Sequence, residues 1–264
     1  DNFYYHSRFG AEVFDDYCFT KISVINPDDV NGERDSVALF IKKNLLIVVD
    51  VRDTDCSTRD KFMECLGRYS PINITLEKLI YAFLDCLTSS DSNTIEDMGY
   101  EITQLEELVL HDRVSSDFNL QLLHMKKELL TMRNYYEQLI DIGDALEDNE
   151  NEIFDDNYLR YISNFTKKTI RLRDDIDMLS GSVVHLQDAY QSYIDIKSNR
   201  TMQIFNGCYG NIFSAHGYSG LVRNELSQYA GALLEYGYLF VILLSITVVT
   251  VLAVIFKKKK WIGK

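Results

Sequence analysis

The sequence predicts a mostly α protein. A small α+β N-terminal part is followed by a very long stalk helix and then a C-terminal transmembrane helix. Three observations predict this. β-type runs are confined to the first 60 residues. Pro71 is the last proline, so 193 residues follow without one, and they carry apolar residues at helical spacing. Near the end, Tyr236 to Phe256 is 21 residues without a charge, about the length that crosses a hydrocarbon core as a helix.

The elements follow in order. Val13 to Ile25 is one β-type region. Ser36 to Val51 reads as a hairpin turning at Lys42-Lys43-Asn44. Its second arm is nearly continuous aliphatic, as in a strand covered on both faces. From Thr58 the pattern becomes helical. Leu76, Leu79, Ile80, Phe83 and Leu87 recur at three and four, as do Ile102, Leu105, Leu108 and Val109. Residues 116–147 form a third helical run through Leu122, Met125, Leu129, Met132, Tyr136 and Leu139, and the acidic stretch Glu147 to Asp156 is the expected turn. A final run, Tyr158 to Phe205, is 48 residues, or roughly 70 Å if helical throughout. A helix of that length calls for other helices or other subunits to pack against.

Composition narrows the function classes. The net charge is -13, and the acid lies before the membrane segment. Nucleic acid selects Lys/Arg-rich surfaces, so no nucleic-acid partner is expected. Cys18, Cys56, Cys65, Cys86 and Cys208 are scattered, without zinc spacing or a disulfide framework, which reads as reduced cytoplasmic thiols. The five histidines lack metal-ligand spacing. There is no Gly-rich phosphate loop, nucleophile elbow or H-E-x-x-H, so the chain reads as not an enzyme. Lys257, Lys258, Lys259 and Lys260 directly follow the apolar run and hold the C-terminus in the cytoplasm. Tyr236, Tyr238 and Trp261 stand at its two interfaces. The chain starts at Asp1 and reads as truncated at the front.

Several segments then fall into the order of a known family. They are Met125-Lys126-Lys127-Glu128-Leu129-Leu130-Thr131-Met132-Arg133, Asp174-Asp175-Ile176-Asp177 and Leu186-Gln187-Asp188-Ala189-Tyr190-Gln191-Ser192. Asn199-Arg200-Thr201-Met202-Gln203-Ile204-Phe205 and the tail from Tyr236 to Trp261 complete the set. With this spacing the chain resembles the CorA family of magnesium channels. The resemblance is strong over about half of the chain and loose over the first 100 residues.

The resemblance implies an αβα-like cytoplasmic domain at 1–110, a helical hairpin and long stalk helix at 111–205, and an altered first transmembrane helix and loop at 206–235. A transmembrane helix at 236–256 and a basic cytoplasmic tail at 257–264 complete it. It further implies a homopentamer in the plasma membrane, with most of each chain in the cytoplasm. The lipid bilayer and divalent cations are its other partners, and Mg2+ is both the transported and the regulatory ion, with cobalt and nickel as alternative cargo. Asp188 would face the funnel axis near its narrow end, Asn199 would be the inner pore asparagine and Met202 a hydrophobic constriction. Lys257 to Lys260 would form a basic ring at the inner pore mouth. The regulatory metal ligands are not assigned.

One departure stands out. The family's first transmembrane helix and its Gly-Met-Asn filter are absent from the sequence. In their place, residues 206–234 are glycine-rich and carry Arg223 and Glu225, a poor membrane helix. Leu221 to Leu226 can be encoded so that a one-base shift reads Trp-Tyr-Gly-Met-Asn-Phe. The same shift allows Met-Pro-Glu-Leu two residues further on and an apolar run upstream. A frameshift entered near Phe205 and left near Leu234 accounts for all three, and the chain as written is then expected not to conduct magnesium. The competing expectation is a single-pass membrane protein whose acidic helical domain is an interaction module. It would use the sequons at Asn73, Asn164 and Asn199.

Overall fold

A computed structural model describes residues 11–26, 29–53, 56–67 and 74–226, together with Thr247 and Thr250; over 207–226 it describes the backbone alone. The apolar run 236–256, apart from those two threonines, and Lys257 to Lys260 lie outside the described residues. Among the described residues, no helix is long and apolar enough to cross a membrane.

Four strands come first: β1 (Ala11–Val13), β2 (Tyr17–Val24), β3 (Asp35–Lys42) and β4 (Leu45–Arg52). They form one antiparallel sheet in the order β1-β2-β3-β4. The β3–β4 hairpin pairs Lys42 with Leu45, which leaves Lys43-Asn44 as a two-residue loop. Asn44 takes a left-handed φ of 62°, a conformation asparagine tolerates better than most residues. The loop between β2 and β3 turns through Gly32, whose N–H donates to the Asp29 carbonyl at 3.0 Å. A Cβ at Gly32 would stand 2.5 Å from Asp29 Oδ2, so a larger residue there would have to push the Asp29 side chain aside.

The inner face of the sheet carries Cys18, Ile22, Val24, Val37, Leu39 and Ile41, all buried. The outer face corrects one expectation. β4 is an edge strand, not a covered one: Leu45, Ile47, Val49 and Val51 are 49, 47, 39 and 52% exposed. Successive strand residues point to opposite faces, so only Leu46 and Val48 reach the core.

Among the described residues, five helices follow: α1 (Ser57–Gly67), α2 (Leu76–Leu87), α3 (Asp91–Leu110), α4 (Phe118–Asp148) and α5 (Leu159–Leu226). Caps explain several ends. The Asp53 carboxylate accepts the Arg59 N–H at 2.9 Å, and Asp35 Oδ2 accepts the Ser57 and Thr58 hydroxyls at 3.1 and 3.3 Å, which fixes the start of α1 to β3. Thr75 caps α2, accepting the Lys78 N–H at 3.4 Å. Asn149 ends α4 with a left-handed φ of 47°. Its side chain clasps Phe154 both ways, donating to the carbonyl at 3.1 Å and accepting the N–H at 3.0 Å. The acidic stretch is therefore a turn, as its composition predicts, and its order comes from this clasp.

The chain divides into two compact units, Asp1–Ile194 and Asp195–Lys264. In the first, Phe83, Phe118, Tyr136 and Phe165 are buried outright and join α2, α4 and α5 to the sheet. Gln138 of α4 accepts the Ser23 N–H of β2 at 3.3 Å. Gly143 lets α4 approach α5, because a Cβ there would meet Thr166 Oγ1 at 2.3 Å. In the second unit the described backbone is helical from Asp195 to Leu226. That helix continues through the glycine-rich stretch from 206, which the sequence marks as a weak helix former. Extending an existing helix escapes the nucleation penalty, and no proline interrupts it.

Candidate functional site

Asp188, Asn199 and Met202, singled out from sequence, sit on α5, each at the surface of its own unit. In the first unit, Asp188 is exposed, and the Ser192 hydroxyl donates back to its carbonyl at 3.0 Å. In the second, Asn199 is exposed and Met202 is 61% exposed, one helical turn further on. Asp195 and Asn206, at four residues before and seven after Asn199, share that face and are exposed as well. The resemblance did not name them. Counting the helical period outward from Asn199 finds them.

The part of α5 in the first unit is held to α4, to α2 and to the turn after α3 by a mixed seam. Phe118 packs on Tyr190, ring centroids 4.6 Å apart. Arg133 of α4 reaches both Glu137 and Asp177 at 3.2 Å. Lys126 donates to Gln187, and the Tyr193 hydroxyl donates to Asp112. Lys168 Nζ reaches Asp85 of α2 at 2.6 Å and Thr88 Oγ1 at 3.2 Å. Most of these ion pairs are half exposed and worth only about 0.2–1 kcal/mol each, so the apolar contacts fix the helix and the ions set its register.

Carboxyl groups gather at two places. Burial, with the nearby Glu101, raises the Glu128 carboxyl above its ordinary range, while the Asn31 amide donates to it at 3.1 Å. At the end of α4, burial and then Glu147, Asp141 and Asp148 raise Asp144. Among the described residues, no three His, Cys, Asp or Glu side chains come together to hold a metal ion. Cys18, Cys56, Cys65 and Cys86 are free thiols. Cys18 is buried beside the Asn151 amide at 3.2 Å, and burial pushes its thiol up.

A small antiparallel sheet backed by helices, α5 being the longest among the described residues, defines a mostly helical α+β class. A family described as CorA-like Mg2+ transporter protein matches residues 5–206, and the chain belongs to that family. It is 24% identical over 263 residues to the cobalt/magnesium transport protein CorA of Thermotoga maritima, covering 97% of this chain and 74% of that protein. Two solved structures share the fold. The complete CorA magnesium transporter of Methanocaldococcus jannaschii aligns with a TM-score of 0.68 at 18% identity, over 96% of this chain and 79% of that one. Full-length CmaX aligns at 0.69 and 20% identity, over 97% and 78%.

Proposed function

We propose that this chain, with residues 206–234 read in the shifted frame, is the subunit of a CorA-type homopentameric channel that carries Mg2+ across the plasma membrane and is gated by cytoplasmic Mg2+. Family membership is the observation that carries the reading. The exposed polar face of α5 supports it: Asn199, with Asp195 and Asn206, offers oxygens along one side of the helix. In this reading the domain organisation is 1–110, 111–205, 206–235, 236–256 and 257–264. The helix at 236–256 crosses the bilayer, and Lys257 to Lys260 ring the inner mouth from the cytoplasm. The activity is transport, not enzymatic turnover.

The chemistry suits a hydrated ion. Mg2+ releases its water reluctantly and prefers octahedral oxygen coordination. Repeated five times around an axis, an Asn199 carboxamide would accept hydrogen bonds from the ion's water shell without stripping it. Asp188 would raise the local cation concentration near the narrow end. Met202 would form a dry collar one turn from Asn199. Mg2+ held between cytoplasmic domains would favour the closed arrangement, and its loss would shift the population toward the open one.

A second reading follows from one observation, the missing Gly-Met-Asn. The chain as written lacks the filter and is a nonconducting member of the family. Sequencing the gene across the codons for residues 200–240 decides between the two. One continuous frame through an apolar helix and Tyr-Gly-Met-Asn supports the channel. The written codons, confirmed, overturn conduction by this chain.

A further inference from the structure

Asp91 has an environment that its sequence position hides. It opens α3 directly after α2, and its side chain is fully buried. The Tyr136 hydroxyl of α4 donates to Asp91 Oδ2 at 3.1 Å. Asp91 Oδ1 is buried with no hydrogen-bond partner, and so is the hydroxyl of Tyr135, which is 3% exposed. The basic groups nearby do not close the gap. Lys168 of α5 is committed to Asp85 of α2 and to Thr88 just after it, and Lys61 of α1 acts on Asp91 only through its charge. Asp175 of α5 adds negative potential at Tyr136.

A carboxylate in such a place is costly. One oxygen has a single donor and the other has none, in a medium that screens charge poorly. The start of α3 offsets part of that cost through the helix dipole. Protonation removes the rest.

We propose that Asp91 is a proton-operated latch where α1, α3, α4 and α5 meet: neutral, it seats the start of α3 on α4, and ionised, it loosens that seat. Burial pushes the carboxyl from 3.8 up to about 6, against the opposing pulls of Tyr136, Lys61 and Lys168. An acid whose folded pKa lies above its unfolded value is stabilising at low pH. Between those two values the native chain holds a proton that the opened chain releases, so stability falls as pH rises through the window and is level above it. A rise of that size corresponds to about a 100-fold change in the opening equilibrium. Acidification of the cytoplasmic side would thus tighten the α3–α4 corner against α5. The latch holds whether or not the chain conducts.

The test is amide hydrogen exchange on the full chain in detergent micelles, from about pH 4.5 to 7.5, read as protection factors. The amides to follow are those of the first two turns of α3 and around Tyr135 and Tyr136. The native chain should lose about 25-fold protection between about pH 4.5 and 7.5 and level off above about pH 6.5. Asp91→Asn should remove that dependence. If Asp91→Asn does not fold, Tyr136→Phe retains the carboxyl and removes the donor that holds it down, so the midpoint should move to higher pH. Flat protection in the native chain, the same pH dependence in Asp91→Asn, or an unmoved midpoint in Tyr136→Phe would overturn the latch.

Discussion

Gly143 and Thr166 set how closely α4 approaches α5 at the level of single atoms. A methyl group at position 143 would stand 2.3 Å from Thr166 Oγ1, and Thr166 is only 3% exposed, so neither side has room to yield. Gly143→Ala should therefore cost about 1–3 kcal/mol in urea unfolding, despite alanine's better helix propensity. Thr166→Ala in the same chain should recover most of that loss, because it removes both Oγ1 and the methyl group behind it. Simple additivity of the two costs would show that the helices can already separate. The α5 residues assigned to a pore behave oppositely. Asp188 and Asn199 are exposed, so Asp188→Asn and Asn199→Ala should leave the unfolding free energy within about 0.5 kcal/mol of the native chain. An effect of either on Mg2+ flux would then be an effect on the ion path. Sequence alone exposes the pore candidates through their motif, but not Asp91 or Gly143. An acid at the start of a helix ordinarily faces water, and a lone glycine within a helix carries no mark of the neighbour it admits.

At the scale of elements, the hairpin and the helices are readable because their periods are strong. The β3–β4 turn falls within the expected Lys42-Lys43-Asn44, at Lys43-Asn44, and α2, α3 and α4 occupy the expected apolar repeats. Two features are not readable. The aliphatic run of β4 suggests cover on both faces, yet hydrophobicity records what a strand can bury and not what lies against it. Leu45, Ile47, Val49 and Val51 face outward from an edge strand. Leu39→Ala, in the fully buried part of β3, should cost about 2–5 kcal/mol, whereas Ile47→Ala should cost less than about 1 kcal/mol. Equal losses in chemical denaturation would mean that β4 is covered after all. The other feature is the end of α5. Glycines at 207, 210, 217 and 220 each disfavour helix by about 1 kcal/mol. The described backbone is nonetheless helical to Leu226, since propagation needs no new nucleus.

For the whole molecule, the family and the mostly helical α+β class rest on agreement between separate features. The ordered motifs in α4 and α5, the four-stranded sheet and the long helix α5 all point the same way. The net charge of -13 fits a protein that works among cations, but it does not choose among them. In the proposed reading, transport depends on the Gly-Met-Asn filter, which the written sequence lacks, so the strongest comparison is between two chains that differ only there. The measurement is Mg2+ uptake into liposomes containing either the chain as written or a chain whose residues 206–234 follow the shifted frame. Uptake by the shifted-frame chain, reduced by Asn199→Ala, and none by the chain as written is the expected result. Uptake by the written chain, or by neither, would contradict it.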